Sequence, residues 1–206
     1  MSYSQLNQDL NVIKFYNGKK DGFFIEIGAN DGINLSNTYL LEQQYNWKGI
    51  CCEPNPIIFQ NLIVNRSKSI CCPEAVYNSS DNYVIFKLKN NSLLSGISNH
   101  IIDTKKFIFN QKTKNKLIQV KTISLLDLLN KYNCPSFIEY ISIDTEGSEL
   151  EIIRNFDFNK YTFGLIDIEH NYIEPKRTEI RNLLLSNGYI YIGENSWDDM
   201  YKHNSV

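Results

Sequence analysis

Phe23-Phe24-Ile25-Glu26-Ile27-Gly28-Ala29-Asn30-Asp31-Gly32 is an apolar run that ends in an acid-flanked glycine turn. Aromatic and β-branched residues with a single charge predict a buried parallel strand over 23–27. Gly28 and Gly32 let the backbone turn tightly and approach a ligand, and Asn30 tolerates a left-handed conformation. The turn resembles the nucleotide loop of a Rossmann-like domain. Ala29 and Asn30 nevertheless break the G-x-G-x-x-G spacing that cradles a pyrophosphate. Glu26, Asn30 and Asp31 instead suit a cationic, hydroxyl-bearing ligand. S-adenosylmethionine, with an ammonium, a sulfonium and ribose hydroxyls, is such a ligand.

The flanking chain repeats a strand–helix rhythm, which predicts an α/β fold. Trp47–Cys52 reads as a second strand that stops at Glu53-Pro54-Asn55-Pro56. Glu53 lies about twenty residues beyond Gly32, the offset at which an acid at the end of the second strand meets ribose hydroxyls. Pro56–Arg66 reads as a helix with proline at its start. Ser69–Val76 reads as a third strand, which makes Glu74, Ala75 and Val76 candidate adenine contacts. Tyr83–Leu88 alternates as a strand, Ser95-Gly96 reads as a turn, and about 97–120 reads as a surface loop or lid over the site. Phe137–Ile143 and Tyr161–Ile168 read as further buried strands, ending in Asp144-Thr145-Glu146 and Glu169-His170-Asn171. Helices are expected around 7–16, after the cap Ser36, after Ser124, over 148–155 and over 176–187. Tyr189–Gly193 is expected as a strand, with the tail from Trp197 returning as an antiparallel edge strand.

At 206 residues, one domain covering 1–206 is expected, with 1–21 as an N-terminal helix or cap. The net charge of −2 shows no basic excess, so nucleic acid is not the expected partner. The polar start Met1–Gln8 predicts no signal peptide and no apolar run predicts a membrane span, so a cytoplasmic protein is expected. The five cysteines include no C-x-x-C and read as reduced core residues, not a zinc site.

Ligands of open α/β sheets sit beyond the carboxyl ends of the strands. Asp31, Glu53, Asp144, Glu146, Glu169 and His170 therefore converge on one edge. Methyl transfer to an alcohol needs alignment of two reactants and removal of a proton. His170 titrates near neutrality and reads as the base, with Asp144 and Glu169 as alternatives. Asp144, Glu169 and Asn171 also form a hard-oxygen set able to hold a divalent metal such as Mg. Each has a blander reading, as a helix-capping acid or a surface histidine. His100 and His203 read as surface residues. A nicotinamide oxidoreductase would need a working Tyr-x-x-x-Lys pair. Tyr16–Lys20, Tyr83–Lys87 and Tyr172–Lys176 all sit in unsuitable contexts, and Pro175 interrupts the last.

Taken together, Ser4-Gln5-Leu6-Asn7-Gln8-Asp9, Phe24–Gly32, Ser36-Asn37-Thr38, Leu41-Glu42, Trp47–Ile50, Glu53-Pro54-Asn55-Pro56, Asp144–Leu150 and Glu169-His170-Asn171 resemble the FkbM family of S-adenosylmethionine-dependent methyltransferases. The resemblance implies a Rossmann-like class I methyltransferase fold, a seven-stranded, mostly parallel sheet with helices on both faces. It implies O-methylation of a sugar, glycan or related small molecule. Under it, Glu26, Gly28, Ala29, Asn30, Asp31 and Gly32 line the methionine moiety, and Asn37 and Thr38 close the loop. Glu53 holds the ribose with Pro54 and Asn55 beside it. Asp144, Glu169 and His170 face the acceptor. The alternatives are a cofactor-binding module without turnover and a nicotinamide-dependent oxidoreductase.

Overall fold

The buried strands carry two apolar faces, and that alternation builds the architecture. In a computed structural model, which describes residues 1–100 and 116–206, Phe23–Ile27 (β1) pairs in parallel with Lys48–Cys52 (β2) and Phe137–Ile143 (β8). On one face Ile25, Ile27, Ile50, Cys52 and Ile141 pack against Leu125–Lys131 (α4), Glu149–Ile153 (α5) and Lys176–Ser186 (α6). On the other, Phe24, Cys51 and Tyr140 meet Val12, Leu41 and Leu62 from Gln8–Phe15 (α1), Tyr39–Tyr45 (α2) and Pro56–Asn65 (α3). Burial on both faces is why these strands read as continuous apolar runs.

The main sheet adds Ile70–Cys72 (β3), Thr162–Glu169 (β9), Tyr189–Asn195 (β10) and Asp198–His203 (β11), in the order β3-β2-β1-β8-β9-β11-β10. β11 runs antiparallel to both β9 and β10. This is the seven-stranded, mostly parallel sheet of the expected class I methyltransferase fold.

Three expectations change. The expected third strand breaks at Pro73, whose nitrogen carries no ladder donor. β3 stays in the main sheet, whereas Ala75–Tyr77 (β4) joins a second sheet with Lys116–Ser124 (β7), Tyr83–Leu88 (β5) and Gly96–Ile97 (β6), ordered β4-β7-β5-β6. Gly96 therefore lies in a strand and not only in a turn. The tail β11 is not an edge strand. It inserts between β9 and β10, which buries Asp198, Asp199 and Tyr201 and leaves β10 at the edge. The loop expected over about 97–120 falls mostly on 101–115, outside the described residues, while 116–120 open β7.

Asn55 caps α3 by accepting from the Ile57 N–H at 3.1 Å, and Ser124 caps α4 through the Asp127 N–H. All five cysteines are free. Among the described residues, no helix is long and apolar enough to cross a membrane.

Candidate active site

Two cavities open at the carboxyl ends of β1, β2, β8 and β9, and they share Gly28 and Asp144. Gly28 has φ +88°, and a Cβ there would sit 1.8 Å from the Asp144 carbonyl oxygen. Any side chain at 28 would drive the ends of β1 and β8 apart. Gly32 is needed for a different reason. Its Cβ would strike Arg66 Cγ and Leu62, so it serves packing and lines neither cavity.

The smaller cavity, about 40 Å³, is a slot between Glu53 and Pro54 on one side and Val76, Phe86 and Ile97 on the other. Glu74, Ala75 and Val76, the residues expected on the base side, line it. The Glu53 carboxylate is buried and fixed by the Asn30 N–H at 3.1 Å and the Asn55 N–H at 2.7 Å. Burial pushes Glu53 up from 4.5 to about 7 against the pull of those two donors. Asn55 lines neither cavity, since its side chain is spent on the cap. Glu74 is tied to Lys131 at 2.6 Å.

The larger cavity, about 400 Å³, is lined by carboxamides and acids. Asn30, Asn37 and Asn171 join Asp144, Glu146 and Glu169 there. The ligating atoms of Asp144, Glu146 and Glu169 lie within 4.8 Å of one another. No lysine or arginine lines this cavity among the described residues. Asp144 is exposed to the cavity, yet the protein packed around it, and then Glu146, Asp198 and Glu149, raise it well above the carboxylate range. Burial and Asp144 do the same to Glu169, and burial and Glu149 raise Glu146. Three buried side-chain oxygens lack any hydrogen-bond partner among the described residues, Asp167 Oδ1 and, at this site, Glu169 Oε2 and Asn37 Oδ1. Glu169 and Asn37 line this cavity, whereas Asp167 does not. Buried acceptors left open cost free energy unless a ligand supplies the donor or cation.

Glu26 also lines the larger cavity, but its carboxylate is occupied. It accepts from Ser36 Oγ, the Asn37 N–H at 2.7 Å and Thr38 Oγ1 at 2.6 Å, and pairs with Arg66 at 3.1 Å. Arg66 is fully buried and also holds Glu42 at 3.0 Å. Thr38 is absorbed by this knot, and Asp31 folds back onto the Ile33 and Asn34 N–H groups. Neither lines a cavity among the described residues.

Glu169 and His170 part company at the end of β9. Consecutive strand residues point to opposite faces. Glu169, in register with Asp198, faces the cavity, whereas His170 turns to the other side with Asp199, the partner of Ile168. The His170 Nδ1 accepts from the Tyr172 N–H at 2.9 Å, and Nε2 lies 3.5 Å from Asp199. Arg177 and Arg181 hold that aspartate. Burial lowers the His170 pKa, with Asp199 opposing. His170 lines neither cavity. Among the described residues, the only other group that could ligate a metal is His170, Glu194 and Asp199, so no cysteine belongs to one. His100 is not simply surface, because its ring bonds Tyr77 Oη at 2.8 Å.

Sequence reasoning missed Gln8, Asp198 and Arg66. Gln8 Nε2 donates to Asp198 Oδ2 at 2.8 Å beside the acids. The signal for Arg66 was a lone cation closing the apolar helix Pro56–Asn65.

A sheet ordered this way, with its antiparallel strand next to the edge and a ligand site at the β1–β8 cleft, defines the class I methyltransferase fold. The methyltransferase FkbM domain matches residues 26–191, and the chain belongs to that family. Among solved structures, precorrin-6y C5,15-methyltransferase from Geobacter metallireducens is similar in fold, at 12% identity over 94% of this chain and 84% of that one, with a TM-score of 0.50. A putative RNA methyltransferase from Pyrococcus horikoshii aligns at 10% identity over 98% and 83%, with a TM-score of 0.49. No curated protein matches the chain. The chain is a methyltransferase, and its family and fold imply S-adenosylmethionine as cofactor.

Proposed function

We propose that the chain is an S-adenosylmethionine-dependent O-methyltransferase acting on a hydroxyl of a sugar, glycan or related small molecule. The observation that carries the reading is the junction of the two cavities at Gly28 and Asp144. One side offers an apolar slot with a fixed acid, Glu53, suited to a nucleoside. The other offers acids, carboxamides and two open acceptor oxygens, suited to a cationic group and a hydroxylated acceptor. The slot, at about 40 Å³, is smaller than a nucleoside, so occupancy requires its walls to widen.

S-adenosylmethionine, when bound, supplies the electrophilic methyl carbon. Glu53 holds the ribose hydroxyls through a carboxylate already aimed by two backbone donors. Asn37 offers its free oxygen to the ammonium. Glu169 accepts the acceptor's hydroxyl proton at Oε2, which has no hydrogen-bond partner among the described residues. Asp144 and Glu146 keep Glu169 basic by like-charge repulsion. His170, turned away, positions Glu169 by fixing the end of β9 against Asp199. The same three acids, with Asn171 alongside, form a hard-oxygen set for a divalent cation, the second component we assign to this site.

The acceptor-side acids repel phosphate, which favours an uncharged glycan or small molecule over RNA. The three carboxylates line the cavity with no described lysine or arginine among them. The test is mass spectrometry of glycans from cells with and without the gene. A methyl-sized mass increase present only with the gene is expected. Identical glycan masses, with S-adenosylhomocysteine still binding, would move the acceptor out of this class. EDTA treatment in the same assay reports on the cation. Retention of full activity would contradict that assignment.

A further inference from the structure

Residues 2–9 lie outside the matched family domain, yet they help to build the larger cavity. Chain termini fray unless something ties them down. Here there are three ties. Asp9 is fully buried, and its carboxylate accepts from Ser2 Oγ at 2.6 Å, the Tyr3 N–H at 2.8 Å and Ser4 Oγ at 2.8 Å. Those bonds fold the arm back onto the start of α1. Ser4 forms a parallel β-bridge with Leu35, and the Tyr3 ring meets Tyr39 edge-on at 4.7 Å. On the opposite side, Asn195 Nδ2 donates to the Leu6 carbonyl at 3.0 Å, and Gln8 Nε2 holds Asp198.

The arm thus runs from the 34–37 loop to the β10–β11 turn, across one side of the cavity. Gln5 sits mid-span. It is solvent-exposed and lines the cavity, while the hydrogen bonds that anchor the arm all belong to its neighbours. A carboxamide both donates and accepts, which matches a hydroxyl and carries no charge to select for or against.

We propose that Gln5 is a specificity-determining residue, whose carboxamide hydrogen-bonds an acceptor hydroxyl while Asp9 acts as the positioning residue that holds the arm in place. The assignment rests on the methyl-transfer reading above.

The test uses the full chain, tritiated-methyl S-adenosylmethionine, and glycan extract from cells lacking the gene as acceptor. Gln5→Ala is expected to raise the apparent KM for the extract by roughly 3–10-fold, the scale of one lost neutral hydrogen bond. The kcat, melting temperature and S-adenosylhomocysteine affinity should stay unchanged. Asp9→Ala should raise the same KM, and Gln5→Ala should then add nothing in that background. An unchanged KM for Gln5→Ala beside intact S-adenosylhomocysteine binding overturns the proposal and leaves methyl transfer standing. Full additivity of the two changes overturns Asp9 as the holder. Failure of the wild-type chain to bind S-adenosylhomocysteine removes the underlying methyl-transfer reading instead.

Discussion

Two groups of acids, one gathered round Arg66 and one at the ends of β8 and β9, are built in opposite ways. Glu26 and Glu42 share a fully buried arginine, Arg66, and Glu26 is further bonded by Ser36, Asn37 and Thr38. Asp144, Glu146 and Glu169 share no buried arginine among the described residues, Lys89 opposes only the rise of Glu146, and Glu169 Oε2 has no hydrogen-bond partner there. Burying a charge is tolerable when it is paired and hydrogen-bonded. The first group meets that condition within the protein, so it holds the cofactor loop together. The second leaves it unmet at the buried Glu169, which is the pattern of a site that waits for a ligand or a proton.

Substitutions should separate the two groups. Arg66→Met strands two buried carboxylates and should cost about 3–5 kcal/mol of stability, a fall in Tm on the order of 10 °C. Thermal unfolding measures it, and a Tm within about 2 °C of wild type would mean that the knot is not structural. Glu169→Gln should do the reverse. It relieves repulsion, so Tm should hold or rise, while methyl transfer falls at least about 100-fold. The wild-type transfer rate should also climb as pH rises above the ordinary carboxylate range, because Glu169 and Asp144 are held above that range and lose their protons late. A rate flat in pH would show that neither acid is the base.

Smaller effects sharpen the contrast. His170→Gln should slow transfer by less than about tenfold, the scale of a misplaced Glu169 and not of a lost base. A loss as large as that of Glu169→Gln would restore His170 to the chemistry. Glu53 links the two patterns, since it is bonded yet raised to about 7 by burial. The folded chain keeps a proton that the unfolded chain releases above its ordinary 4.5. Its contribution to stability is therefore full below about pH 4.5 and is lost as pH rises through about 7. Glu53→Gln should flatten the stability curve across that window and weaken S-adenosylhomocysteine about tenfold. Denaturant titrations at pH 4.5 and 7.5 check the first part.

Much of this was legible in the chain. The strand at 23–27, the acid at 53 and the acids after 143 are local patterns whose spacing alone places them on one sheet edge. What was hidden depended on the third dimension. The split at Pro73 needed the partner strand β7, some forty residues on, to be visible. The insertion of β11 inside the sheet depends on its pairing with β9, which no local signal encodes. Gly32 looked like a ligand contact, because a glycine required by Arg66 and one required by a cofactor look alike in sequence. His170 was recoverable in principle. Strand alternation places Glu169 and His170 on opposite faces, so only one of the two could meet Asp144.

The central claim is that the β1–β8 cleft holds S-adenosylmethionine, and isothermal calorimetry with S-adenosylhomocysteine and with NAD tests it most directly. One-to-one binding of S-adenosylhomocysteine, weakened by Glu53→Gln, with no heat from NAD, is the expected result. NAD binding without S-adenosylhomocysteine binding would contradict it.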